Sequence, residues 1–138
     1  MAEKFDEALE KAQRARRGAP KDLQVLQELG LIYAQMNRLE EARSVFEEYL
    51  NLKQNVNVSI LLANVLRRMG RIDEGRALIE KARHQEPDHG GVLITLGDFL
   101  VEAGRLGEAL LLYQRAKEVD PYRASETANQ RIVELRTQ

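Results

Sequence analysis

The chain of 138 residues and 15.8 kDa is long enough for one ordinary domain. Its 21 basic and 22 acidic side chains nearly cancel, and the formal net charge of −1 argues against bulk attraction to nucleic acid or to an anionic membrane. The absence of cysteine excludes disulfides, thiolate zinc sites, iron–sulfur clusters and a cysteine nucleophile.

In chain order, the first predicted helix, over 3–17, sets Phe5, Leu9 and Ala12 on one side. The second, over 21–36, places Val25, Leu26, Leu29, Ile32, Tyr33 and Met36 at steps of three and four, the period of an amphipathic helix. The third, over 39–53, does the same with Leu39, Ala42, Phe46 and Tyr49. Helices over 56–69 (Val58, Leu62, Val65, Leu66, Met69) and 72–85 (Ile72, Ile79, Ala82) continue the alternation. So do helices over 89–103 (Val92, Leu93, Leu96, Phe99, Leu100) and 106–118 (Leu106, Ala109, Tyr113, Ala116). The eighth, over 122–136, carries an apolar stripe of Ala124, Ala128, Ile132 and Leu135. Arg123, Glu126, Arg131, Glu134 and Arg136 lie mostly on other faces, which suits a polar-backed capping helix.

The junctions between these helices repeat. Met36-Asn37-Arg38-Leu39-Glu40-Glu41-Ala42 returns as Met69-Gly70-Arg71-Ile72-Asp73-Glu74-Gly75 and as Ala103-Gly104-Arg105-Leu106-Gly107-Glu108-Ala109, spaced by 33 and then 34 residues. Asn37, Gly70 and Gly104 are residue types that accept the left-handed conformation just past a helix end. The acidic residues that follow suit the positive start of a new helix. Pro87 and Pro121 stand in one phase behind those glycines, and Pro20 shares it. A self-similar period of this length predicts stacked supersecondary units. The expected organisation is a single domain, 1–138, made of a half repeat (1–22), full repeats over 23–55, 56–89 and 90–123, and a capping helix over 124–138.

These residues resemble the tetratricopeptide repeat family, whose unit is a helix–turn–helix of about 34 residues with a W-x2-L-G-x2-Y…A-x3-F…P pattern. The first unit shows Leu26, Leu29-Gly30, Tyr33, Ala42, Phe46 and Tyr49, with Gln54 where proline is usual. The third shows Leu93, Leu96-Gly97, Leu100, Ala109, Tyr113, Ala116 and Pro121. The second departs furthest, with Leu62-Ala63, Leu66, Gly75, Ile79, Ala82 and Pro87, and no unit has the tryptophan. The resemblance implies an all-α right-handed superhelix, an α-solenoid of antiparallel helix pairs with about eight helices and a C-terminal cap. Gly30, Ala63 and Gly97 are expected to let helices approach closely, while Phe46 and Tyr113 fill the space between them.

In that family the first helix of each pair lines a concave groove that holds a peptide or a partner's helix. Carried onto this chain, the inward residues are Gln24, Gln27, Glu28, Leu31 and Gln35, then Asn57, Ile60, Leu61, Asn64, Arg67 and Arg68, then Ile94, Thr95, Asp98 and Glu102. Within this set the candidate partner-binding residues are Asn57, Ile60, Leu61, Asn64, Arg67, Arg68, Ile94, Asp98 and Glu102. Asn57 and Asn64 offer a donor and an acceptor to a peptide backbone. Arg67 or Arg68 suits a carboxylate, and Ile60, Leu61 and Ile94 supply apolar contact. An alternative is that Arg68 and Glu102 pair with each other. The lysine-rich clamp of chaperone-binding members is missing, because Gln27, Leu31, Asn57, Leu61 and Thr95 supply no lysine. A second candidate surface is the line Val45, Leu78 and Leu112, with Leu111 beside it; its alternative is half-burial between neighbouring units.

No catalytic motif is present: there is no G-x-S-x-G, phosphate-binding glycine loop or H-E-x-x-H. The cluster His84-Gln85-Glu86-Pro87-Asp88-His89 matches no zinc spacing. It reads as a repeat junction, with Asp88 near a helix start and both histidines solvated. The longest aliphatic run, residues 109–113, falls far short of the roughly 20 apolar residues that cross a bilayer. The expectation is a non-enzymatic, cytoplasmic scaffold for a protein or peptide partner, with no cofactor, no metal, no nucleic acid and no membrane insertion. The competing reading is an assembly module, or a repeat segment excised from a larger protein. The leading half repeat lacks a first helix of its own, so a homodimer through that uncovered N-terminal end is included.

Overall fold

The computed structural model describes residues 2–137; Met1 and Gln138, the outermost residues of the expected half repeat and cap, lie outside them. Among the described residues there are eight helices and no strand: α1 (Ala2–Gly18), α2 (Leu23–Gln35), α3 (Leu39–Leu52), α4 (Val56–Arg68), α5 (Ile72–Gln85), α6 (Gly90–Glu102), α7 (Leu106–Val119) and α8 (Ser125–Arg136). The fold is all-α, as the periodicity predicts. Two boundaries move inward for local reasons. α2 starts at Leu23 because the Asp22 carboxylate accepts from the Val25 amide at 3.2 Å and ends the preceding turn. α8 starts at Ser125, not near 122, because Asp120 Oδ1 accepts from the Arg123 amide at 2.9 Å and holds residues 121–124 in a turn.

The repeated junctions share one geometry. Asn37 (φ 59°), Gly70 (φ 79°) and Gly104 (φ 77°) all adopt the left-handed conformation. At the first, the Arg38 amide donates to the Tyr33 carbonyl at 2.8 Å and the Asn37 amide to Ala34 at 3.1 Å. Arg71 to Leu66 with Gly70 to Arg67, and Arg105 to Leu100 with Gly104 to Val101, repeat the pair of bonds that closes a helix end. At the first and third junctions the next helix opens on an arginine that turns to an acid three residues on. The Arg38 guanidinium grips Glu41, and Arg105 Nη2 lies 2.8 Å from Glu108 Oε2.

His89 departs from its expected role. Its Nδ1 accepts from the Val92 amide at 3.3 Å, so it is the N-cap of α6 and half-buried, where solvation was the expectation. Asn55 serves α4 in the same way at 3.1 Å and also donates to the Tyr49 hydroxyl at 3.2 Å, so this junction closes without a proline. Among the described residues no group of three or more His, Asp or Glu is placed to hold a metal ion, and no helix is long and apolar enough to cross a membrane.

The chain divides into two compact units, Met1–Arg71 with α1 to α4 and Ile72–Gln138 with α5 to α8. A shift of 67 residues carries α2 and α3 onto α6 and α7 end to end. It also carries the buried set Leu26, Leu29, Tyr33, Ala42, Val45, Phe46 and Tyr49 onto Leu93, Leu96, Leu100, Ala109, Leu112, Tyr113 and Ala116. Each pair closes through a glycine against a ring. A Cβ on Gly30 would lie 2.7 Å from Phe46 Cδ1, and one on Gly97 would lie 2.5 Å from Tyr113 Cε1. The candidate strip on the second helices is not a free surface: Val45 and Leu112 are buried and Leu78 is half-buried, so of that group Leu111 alone, 66% exposed, faces water.

Candidate functional site

The candidate residues of the first unit fall on one side of α4. Asn57, Ile60, Leu61, Asn64, Arg67 and Arg68 stand at helical steps of three and four, opposite the buried set Val58, Leu62, Val65 and Leu66. Asn57 and Arg68 are exposed, and Ile60, Leu61, Asn64 and Arg67 are half-buried. Arg67 Nη2 donates to Asn64 Oδ1 at 3.3 Å, which draws the amide toward the C-terminal end of the helix. Arg68 Nη2 reaches back to Asn37 Oδ1, at the end of α2, at 3.1 Å. Its partner there is a neutral amide oxygen, so this contact leaves the guanidinium's charge unneutralised. α2 contributes the exposed Gln24, Glu28 and Gln35 and the half-buried Gln27 and Leu31. The arrangement offers amides for a backbone, a few apolar side chains and a cationic end.

In the second unit the expectation fails for two of the candidate residues. Ile94 is 8% exposed and its neighbour Thr95 4%, on a helix buried around most of its circumference; the Thr95 hydroxyl donates to the Gly91 carbonyl at 2.8 Å. Ile94 therefore has little surface to give a partner. Asp98 is also withdrawn. Its side chain is 13% exposed, accepts from the Tyr113 hydroxyl at 2.6 Å, and takes Arg131 Nε at 2.9 Å and Nη2 at 3.4 Å. A carboxylate held by a phenol and a guanidinium has most of its acceptor capacity committed inside the unit. Glu102 stays exposed at the end of α6.

The electrostatics follow from that cluster. Burial pushes the Tyr113 phenol far above its ordinary range, and the hydrogen bond to Asp98 and that carboxylate's charge act in the same direction. The bond to Asp98 raises the Arg131 guanidinium above its ordinary value, against the opposing effect of its partial burial. Sequence reasoning set Arg131 on an outer face and missed this link. The signal was present, since opposite charges stand 33 residues apart on α6 and α8, close to one repeat length.

On the N-terminal helix, Lys4, Glu7, Ala8, Glu10, Lys11 and Arg14 border an open depression of about 490 Å³. Charges of both signs surround Ala8, and Arg14 pairs with Glu10 at 2.6 Å.

Helix pairs closed by left-handed caps, with an unburied face on a first helix, define a helical-repeat protein. Two family models, each described as tetratricopeptide repeat, match residues 1–65 and 60–124. The chain belongs to the tetratricopeptide repeat family. Among solved structures it resembles MamA of MSR-1, at 27% identity over 85% of this chain and 68% of that one, with a TM-score of 0.70. MamA of AMB-1 is similar at 28% identity over 84% and 69%, with a TM-score of 0.71. TTC0263, a thermophilic repeat protein of this family from Thermus thermophilus, shares 22% identity over 97% and 74% with a TM-score of 0.85, a likeness of fold alone. No curated protein sequence matches the chain. Repeats of this family suggest a scaffold for protein–protein interaction.

Proposed function

We propose that the chain is a non-catalytic scaffold that binds a peptide or partner protein along its first helices, with the open face of α4 as the main contact. The observation that carries this reading is the single stripe of Asn57, Ile60, Leu61, Asn64, Arg67 and Arg68, which combines amides, aliphatic groups and cations that the unit leaves exposed or half-buried. In the second unit, taken by itself, Glu102 is the exposed candidate, while Ile94 and Asp98 offer a partner little surface. The near-balance of 21 basic against 22 acidic residues favours a protein over a nucleic acid as the partner. The division into a half repeat (1–22), three repeats (23–55, 56–89, 90–123) and a closing helix (124–138) belongs to the same proposal and is supported by the regular left-handed caps. A cytoplasmic location is part of it too, tested by cell fractionation.

The experiment is affinity capture from source lysate with the wild-type chain and with the double variant Asn64→Ala/Arg68→Ala, compared at matched thermal stability. Loss of a defined partner from the variant supports the α4 face. An unchanged set of captured proteins moves the site elsewhere. A second reading, self-association through α1, is favoured by the mixed charges around Ala8. Sedimentation velocity across a hundredfold concentration range, with Lys11→Glu as control, decides it.

A further inference from the structure

The two units follow one plan through their central helix pairs and part at the fourth helix. α4 buries Val58, Ser59, Leu62, Ala63, Val65 and Leu66, whereas α8 buries only Ala128 and Ile132, with Ala124 before it. With Ala128 and Ile132 its only buried residues, little apolar area of α8 itself leaves water when it docks. The helix starts differ as well: Asn55 caps α4, and Ala124 offers α8 no side-chain acceptor.

Directional polar contacts add to that small apolar seam. Shifted by 67 residues, Leu31, Phe46 and Asn64 of the first unit become Asp98, Tyr113 and Arg131 of the second. Arg131 of α8 is thereby bound to Asp98 of α6, and Asp98 in turn to Tyr113 of α7. Departure of α8 takes the guanidinium from Asp98, whose side chain is 13% exposed with α8 in place. Asp98 keeps the Tyr113 hydroxyl, and the Arg131 side chain, already 33% exposed, passes into water. A contact of this kind is strong when closed and is lost over a short displacement, because hydrogen bonds weaken steeply with geometry.

We propose that α8 is a flap that opens from α6 and α7 while α5 to α7 stay folded, and that Arg131 on Asp98 is its latch. Sub-global opening of this type shows in amide hydrogen exchange. In the full chain, α8 amides are expected to exchange at least about tenfold faster than those of α6 and α7, with a further gain of about tenfold in Arg131→Gln and in Asp98→Asn. The exchange of α6 and α7 stays unchanged in Arg131→Gln, whose side chain is exposed enough to leave the folded core intact. Equal exchange across α5 to α8 in the wild type would overturn the flap. Faster exchange of α6 and α7 together with α8 in Arg131→Gln would overturn it too, because α8 would then be part of one cooperative unit. An α8 that exchanges rapidly in the wild type and no faster in either variant would overturn the latch.

Discussion

The ring of Phe46 occupies the space that a side chain on Gly30 would need: a Cβ built there lies 2.7 Å from Phe46 Cδ1 and from Cζ. Both residues are buried, and the ring has no free end to swing aside. Gly30→Ala gains roughly 1 kcal/mol of helix propensity and meets an overpacking cost of about 1–3 kcal/mol. The expected outcome is a net loss of stability in urea unfolding. The second repeat carries Ala63 and Ile79 at these two register positions, a larger residue at the small site and a smaller one at the large site. In a Phe46→Ile background, Gly30→Ala is therefore expected to turn neutral or stabilising, a reversal that a double-mutant cycle reads directly.

Gly104 raises a different constraint. Nothing lies within 4 Å of a Cβ built on it, so space is not limiting; its φ of 77° is. Gly104→Ala is expected to cost about 1–2 kcal/mol through the backbone alone. Gly104→Asn, the residue used at position 37, is expected to cost less than alanine. Equal losses for both would mean that something other than the left-handed conformation sets the requirement.

His89 caps α6 through Nδ1 at a long 3.3 Å. Substitution by Ala removes the acceptor and is expected to cost about 0.5–2 kcal/mol, whereas Asp, which accepts at shorter range and suits the helix dipole, is expected to stabilise. Thermal melts of His89→Ala and His89→Asp check the order Asp, His, Ala.

Tyr113 sets an alkaline limit. Its folded-state phenol is raised by burial first, then by its bond to Asp98 and that group's charge. A raised folded value means that the contribution is fully present below the unfolded value of about 10 and fades as pH rises above it. The urea midpoint of the wild type is expected to fall more steeply between about pH 9 and pH 11 than that of Tyr113→Phe. Parallel falls would show that the phenol does not titrate in a buried, hydrogen-bonded setting.

Most of the architecture was legible from local patterns, because helix ends and faces depend on residues within one turn of each other. Asn37, Gly70 and Gly104 marked three helix ends that the structure closes with left-handed caps, and the spacing of apolar residues placed every helix to within a few positions. The Gly30–Phe46 and Gly97–Tyr113 pairs were legible for the same reason, since a small and a large residue recur together at one register. The site was read less well. Position in the repeat brought Asn57, Ile60, Leu61, Asn64, Arg67 and Arg68 to one open face, but the same rule offered Ile94 and Asp98, which are withdrawn.

The near-equal 21 and 22 charges, the lack of cysteine and the period of 33 and 34 residues were enough to establish a helical repeat without disulfides. They could not say which charges are spent inside the protein. Asp98 and Arg68 look alike as groove residues in a linear reading. One is bound by Tyr113 and Arg131, brought from 15 and 33 residues away, and the other meets the neutral amide of Asn37. Ion pairing and burial depend on which helices come to lie side by side, so tertiary packing alone decided which polar groups remain open to a partner.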